Sequence, residues 1–368
     1  MRKSTNILIS GGGTGGHIFP AIAIANGLRA QMPQANILFV GAKGRMEMEK
    51  VPQAGYPIEG LWISGLQRKL DLKNLSFPFK LLSSLVKANQ IINAFKPDVV
   101  IGTGGYASGP LLYVASKKKI PTLILEQNSY PGITNKLLGK TVSRVCVAYE
   151  GMEKFFPKDK ILITGSPIRK EINKLKVTKE EGVEYFDLNR EKTTILVIGG
   201  SQGAMKINEV IGEKLDDIVK NNIQMIWQTG KTSFEIARDY SESSAKRNYI
   251  KVVDFISRMD LAYVVADLIV SRAGAIAIAE IVAVNKPAIF IPLPSAAEDH
   301  QTKNAMALVK GHAAILVKEN EAKEKLVPAI NEMLETESNR LVIVQNLKRF
   351  KHPDATENIV NEIIKMMN

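Results

Sequence analysis

The stretch Ile7-Leu-Ile-Ser-Gly-Gly-Gly-Thr-Gly-Gly-His17 decides the reading of the fold. Its apolar start is continuous rather than alternating, as in a parallel strand covered on both faces. The glycines that follow let the backbone turn sharply and approach a ligand. A helix opening near His17 to Pro20 then points its first N–H groups outward, a geometry that suits an anion.

Working outward, the same rhythm of short Ile/Val/Leu runs and helical patterns recurs at Ile37 to Val40, Val99 to Ile101, Thr122 to Leu125, Val145 to Ala148 and Ile161 to Thr164. It restarts at Thr194 to Ile198 and continues through Met225 to Gln228, Lys251 to Asp254, Leu268 to Val270, Ala288 to Ile291 and Ala314 to Val317. This is a doubly wound α/β pattern laid down twice. Between the two series lies Gly165-Ser-Pro-Ile168 and a highly charged segment, which places a boundary near residue 166. Two domains are expected, 1–165 and 166–350, and Asp354 to Met367 reads as a terminal amphipathic helix.

A length of 368 residues, 45% of them apolar, supports two such cores. The single cysteine, Cys146, excludes an internal disulfide and suits a reducing compartment. The apolar run at the start is too short for a secretory segment, and Leu261 to Val284 is interrupted by Asp267, Ser271, Arg272 and Glu280, which are costly in hydrocarbon. A formal net charge of +12 favours an anionic partner. No zinc-ligand spacing, ribonucleoprotein motif or long basic block points to nucleic acid, which leaves a membrane surface or a diphosphate.

Gly11, Gly13 and Gly16 satisfy the dinucleotide pattern G-x-G-x-x-G, but the second strand runs on into Ala42-Lys43-Gly44 without the carboxylate that would hold an adenosine ribose. A dehydrogenase is therefore disfavoured. His17, at the loop, is either a general base or a residue that caps and packs the loop. A second glycine loop, Gly199 to Ala204, offers Ser201 to a phosphate, unless it is only a tight turn. Glu280 is the one carboxylate on an apolar helix face; it either accepts hydrogen bonds from ribose hydroxyls or pairs with Arg272 or a lysine. No His or Cys cluster and no Asp-x-Asp triplet occurs, so no metal site is expected and no cofactor is required; a divalent cation is at most a non-essential addition. Arg169 and helix N-termini can neutralise a leaving diphosphate instead. Finally, Leu70 to Phe95 interleaves apolar residues with lysines: Phe77, Phe79, Lys80 and Lys87, with Arg68, Lys69 and Lys117 to Lys119, form either an interfacial patch for anionic lipid or a core helix with a solvated edge.

Gly11 to His17, Gly102-Thr-Gly-Gly-Tyr-Ala-Ser-Gly-Pro110, Glu126-Gln-Asn128, Gly165 to Arg169, Gly199 to Ala204 and Glu298-Asp-His-Gln301 together resemble the MurG family of GT-B glycosyltransferases, the UDP-GlcNAc transferases that make lipid II. The resemblance runs in the family's order across most of the chain. It implies a GT-B fold, two Rossmann-like domains facing across a cleft, with a C-terminal helix of about 351–368 packing back on the first domain. It implies inverting transfer of GlcNAc to the 4-hydroxyl of lipid-linked MurNAc-peptide (lipid I) at the cytoplasmic face of the plasma membrane, by a peripheral protein. His17 would be the base. Donor contacts would come from Thr14, Gly15, Gly16, Asn128, Arg169, Ser201, Ile256, Ala275, Ile276, Ala277, Glu280 and Gln301, while Gly104, Gly105 and Tyr106 would face the acceptor diphosphate. Ala277 departs from the family, which commonly carries a small hydroxyl residue there. The rivals are a UDP-GlcNAc 2-epimerase on the same scaffold and a non-catalytic sugar-nucleotide sensor or basic membrane scaffold.

Overall fold

The structure, a computed structural model, describes residues 5–65, 75–199, 204–220, 222–335 and 337–368. The chain divides into one unit of Met1–Ile168 with Asp354–Asn368, and a second of Arg169–Pro353. Each is built on a parallel sheet.

The first unit's strands are β1 (Asn6–Gly11), β2 (Asn36–Ala42), β3 (Ile58–Leu61), β4 (Val99–Gly104), β5 (Thr122–Glu126), β6 (Arg144–Val147) and β7 (Ile161–Ile163), in the spatial order β3-β2-β1-β4-β5-β6-β7. Helices α1 (Gly15–Gln31), α2 (Glu47–Gln53), α3 (Phe77–Phe95), α4 (Ser108–Lys117) and α5 (Ile133–Leu138) accompany them. The unbroken apolarity of β1 has its reason here. Leu8 packs with Ile91, Leu111 and Leu112 on the α3–α4 face, whereas Ile7 and Ile9 pack with Ile18, Ile24 and Leu28 of α1 on the other. The C-terminal helix Ala355–Met367 closes that second face with Ile359, Val360 and Ile363, and Glu362 pairs with Arg144 at 2.7 Å. A Cβ on Gly27 of α1 would stand 2.9 Å from Val360, so the glycine sets how closely the two helices approach.

The second unit's strands are β8 (Thr193–Ile198), β9 (Ile223–Gln228), β10 (Ile250–Val253), β11 (Leu268–Ser271), β12 (Ala288–Phe290) and β13 (Ile315–Leu316), in the order β10-β9-β8-β11-β12-β13. Both sheets therefore reverse direction beside their first strand, between β1 and β4 and between β8 and β11. Ligands bind at such switch points, outside the carboxyl ends of the strands. The doubly wound α/β expectation holds, with two differences of detail. The helix after the first glycine loop begins at Gly15 rather than near His17 to Pro20, and β3 is an additional edge strand.

Candidate active site

At the first switch point the loops after β1 and β4 touch. The Gly12 amide donates to the Gly104 carbonyl at 3.2 Å. A Cβ on Gly104, whose φ is +106°, would meet the His17 ring at 2.5 Å, and one on Gly11 would overlap the Thr103 hydroxyl. Glycine is required because a helix start and a strand end share this space.

His17 is the third residue of α1, behind the N-cap Thr14. Its Nδ1 lies 2.9 Å from the carbonyl oxygen of Thr103. A carbonyl only accepts, so Nδ1 carries the proton and the lone pair of the neutral ring sits on Nε2, the arrangement a general base needs. The backbone of the same turn is held from two sides. Pro20 has no N–H, so the Gly16 carbonyl loses its usual helical donor. Gln127 replaces it, donating from Nε2 at 2.8 Å, while the Thr103 hydroxyl donates to the His17 carbonyl at 2.7 Å. Thr103 and Gln127 were not singled out in the sequence; Pro20 inside the expected helix was the one signal that a carbonyl there would need an outside partner.

Asn128 is tied to Glu126, whose carboxylate accepts the Asn128 amide at 2.9 Å and its side-chain NH2 at 3.0 Å, together with the Gly132 amide and Asn135. Burial pushes the Glu126 carboxyl above its ordinary range, and these hydrogen bonds pull against that rise. Gly105 lies against the Gly12 backbone and Tyr106 covers Gly65, so Gly104, Gly105 and Tyr106 border the loop that carries Thr14, Gly15 and Gly16. Glu47 is another residue the sequence did not single out. It reaches back from α2 to the amides of Gly13 and Ala42.

In the second unit, Ser201 lies outside the described residues. The other loop at that switch point leads from β11 through Gly274 into the helix Ala275–Val284, whose first turn holds Ala275, Ile276 and Ala277. Glu280, only 3% exposed, is gripped by Arg169: Nε to Oε1 and Nη2 to Oε2, each 2.8 Å. The Tyr263 hydroxyl adds a third bond at 3.1 Å. Arg272, offered above as one partner of Glu280, is engaged elsewhere. It pairs with Glu319 and donates to the carbonyls of Ile291 and Pro292. Gln301 opens the helix His300–Lys310, and its Oε1 accepts the Leu293 amide at 2.9 Å, which leaves its NH2 as the group able to read a ligand. Two consecutive left-handed residues, Glu298 and Asp299, make the turn before it. Buried Ile256 lines a cavity of about 460 Å³ beside β10 with Phe255, Tyr185 and Phe186.

The charges of the expected interfacial patch fall differently from the sequence reading. Lys87 is neutralised by Glu59 at 2.8 Å, and Lys80 turns to Ser64 at 3.1 Å and to the Trp62 ring. Their common helix face looks toward β3 and the residues after it, where Lys87 is ion-paired and Lys80 is hydrogen-bonded to a hydroxyl. Phe77 is half-buried. What stands in solvent is Leu75, Phe79, Leu82 and Val86, spaced by four, three and four residues on one stripe that begins just before α3 and runs along it. Arg68 and Lys69 lie outside the described residues. Among the described residues no helix is long and apolar enough to cross a membrane, and no group of three His, Cys, Asp or Glu could hold a metal.

The model of the glycosyltransferase family 28 N-terminal domain matches residues 7–147, and that of the family 28 C-terminal domain matches residues 194–359. A UDP-N-acetylglucosamine–N-acetylmuramyl-(pentapeptide) pyrophosphoryl-undecaprenol N-acetylglucosamine transferase of Flavobacterium psychrophilum is 53% identical over 360 residues, 98% of this chain and 97% of that protein. The protein of the same description from Christiangramia forsetii is 50% identical over 368 residues, 100% of this chain and 99% of its own. The crystal structure of Acinetobacter baumannii MurG matches with a TM-score of 0.80 at 27% identity, covering 99% of this chain and all of that one.

Proposed function

Because the chain belongs to glycosyltransferase family 28, we propose that it transfers GlcNAc from UDP-GlcNAc to the 4-hydroxyl of lipid-linked MurNAc-peptide, converting lipid I to lipid II in peptidoglycan synthesis. The observation that carries this reading is the full-length identity of about one half to transferases described by that reaction. Solved UDP-N-acetylglucosamine 2-epimerases resemble the chain at 12–15% identity, a likeness of fold that does not carry the epimerase reading.

In the reaction, the acceptor oxygen bonds to the anomeric carbon as the bond from that carbon to the UDP oxygen breaks on the opposite face, so the product is β-1,4 linked. The hydroxyl proton passes to Nε2 of His17. The Thr103 carbonyl holds the ring in the tautomer that can take it. The anionic leaving group is met by Arg169, Ser201 and the first turn of the helix that begins at Ala275. Glu280 receives the ribose hydroxyls, Gln301 and Asn128 read the sugar, and Ile256 borders the base, with Ile276, Ala277 and the Thr14–Gly16 turn completing the donor contacts. Gly104, Gly105 and Tyr106 face the acceptor diphosphate. None of these roles routes through a metal ion.

The acceptor's polyprenyl tail confines it to a bilayer, so the enzyme works as a peripheral protein at the cytoplasmic membrane face. The exposed stripe along α3 supports this reading, since four apolar side chains on one face have a lipid surface as a natural cover. Nuclear magnetic resonance of the product distinguishes the readings: a new β-1,4 linkage formed only with acceptor supports transfer, while inversion at C2 of UDP-GlcNAc without acceptor would make the protein an epimerase.

A further inference from the structure

Glu47 is a fully buried carboxylate that the reaction above leaves without a task. Its two oxygens are divided between two segments. Oε1 accepts the amide of Ala42, the last residue of β2, at 2.9 Å, and Oε2 accepts the amide of Gly13, in the middle of the first glycine loop, at 2.9 Å. Burying a carboxylate is costly unless it is hydrogen-bonded, and backbone amides do that here. The chain makes room for it at two glycines: a Cβ on Gly12 would overlap Oε1, and one on Gly41 would stand 2.5 Å from Cγ. Gly13 itself has a φ of +84°, so the bond from Glu47 pins the loop's left-handed residue. The next residues are Thr14, the N-cap of α1, then Gly15, Gly16 and His17.

We propose that Glu47 is a positioning residue for the transfer: by clamping the Gly13 amide to the end of β2, it holds the glycine loop in the conformation that presents the Thr14–Gly16 turn and the His17 imidazole to substrate. The inference rests on the transferase reading. Glu47 opens α2 rather than ending β2, so it is not the ribose-holding carboxylate of dinucleotide-binding domains; it faces the glycine loop's own backbone. The length of the side chain matters, because aspartate is one methylene too short to reach both amides. Its two acceptors matter as well, because a carboxamide would turn NH2 against one of the two N–H groups.

The test is a kinetic series on the full-length enzyme with Glu47→Gln, Gly12→Ala, the double variant, and Glu49→Gln as an exposed control on the same helix. Turnover is expressed per molecule able to bind UDP-GlcNAc, counted by calorimetric stoichiometry, so that misfolded protein is not scored. Glu47→Gln is expected to lower kcat by about tenfold to a hundredfold, the scale of a misplaced catalytic group. The KM for UDP-GlcNAc should rise with this loss, because the same loop carries the Thr14–Gly16 donor contacts, and the acid limb of the kcat–pH profile should shift as the base is presented differently. Gly12→Ala, which evicts the carboxylate, should reproduce this loss, and the double variant should lose little more than either single one. Turnover per competent molecule within about twofold of wild type with an unchanged pH profile, or losses that multiply in the double variant, would overturn the proposal. Wild-type enzyme in the same series reports on the transferase reading separately; absence of transfer there overturns that reading and this one with it.

Discussion

Arg169 and Glu280 meet fork to fork, Nε on Oε1 and Nη2 on Oε2, although 111 residues separate them in the chain. The groups proposed to meet the donor's diphosphate and its ribose thus hold each other in this structure. A buried carboxylate stripped of its cation costs more than losing the pair altogether. Arg169→Met is therefore expected to lower the denaturation midpoint more than Arg169→Met combined with Glu280→Gln. The coupling in a double-mutant cycle should be about 1–3 kcal/mol. Additive effects would mean that the two side chains do not depend on each other.

His17→Ala is expected to reduce kcat by about a hundredfold to ten-thousandfold, the range of a lost general base. UDP-GlcNAc affinity, measured by calorimetry, should be nearly unchanged. Thr103→Val removes only the hydroxyl that donates to the His17 carbonyl and keeps the carbonyl that orients the ring. Its loss should be far smaller. Equal losses in both variants would shift the explanation from the ring to the fold of the helix start.

Phe79, Leu82 and Val86 changed together to Asn should release the protein from anionic vesicles in a sedimentation assay, because each buried apolar side chain is worth about 1.5–3 kcal/mol. Lys87→Gln alone should change little, since Glu59 already neutralises that charge. Release by the lysine change and retention by the triple variant would reverse this assignment.

Cys146 is fully buried in β6, and burial pushes its thiol from an ordinary 9.0 up to about 12. The folded state therefore keeps the proton over a pH window in which the unfolded chain has lost it. This stability is fully present below 9.0 and is lost as pH rises toward about 12. Native protein should resist maleimide labelling at about pH 8 and react fully once unfolded. Rapid stoichiometric labelling of the native protein would contradict the burial.

The parallel strands were legible because double-sided burial demands unbroken apolar runs, as Leu8 against one face and Ile7 and Ile9 against the other illustrate. Strand β3 was not, because Ile58-Glu-Gly-Leu61 carries a charge and a glycine; it is an edge strand held by its pairing with Phe39 to Ala42 of β2. The glycine loops declared the switch points. The partners that shape them, Thr103, Gln127 and Glu47, came from other parts of the chain, and no local period announces such contacts. The lysines interleaved in Leu70 to Phe95 were legible, but which way Lys80 and Lys87 look is set by Trp62, Ser64 and Glu59.

The most direct test of the account is transfer of radiolabelled GlcNAc from UDP-GlcNAc to a short-chain lipid I analogue, run beside UDP-GalNAc and acceptor-free controls. Label is expected in the acceptor only with UDP-GlcNAc, and none without acceptor. Tight binding of UDP-GlcNAc with no label transferred would contradict it.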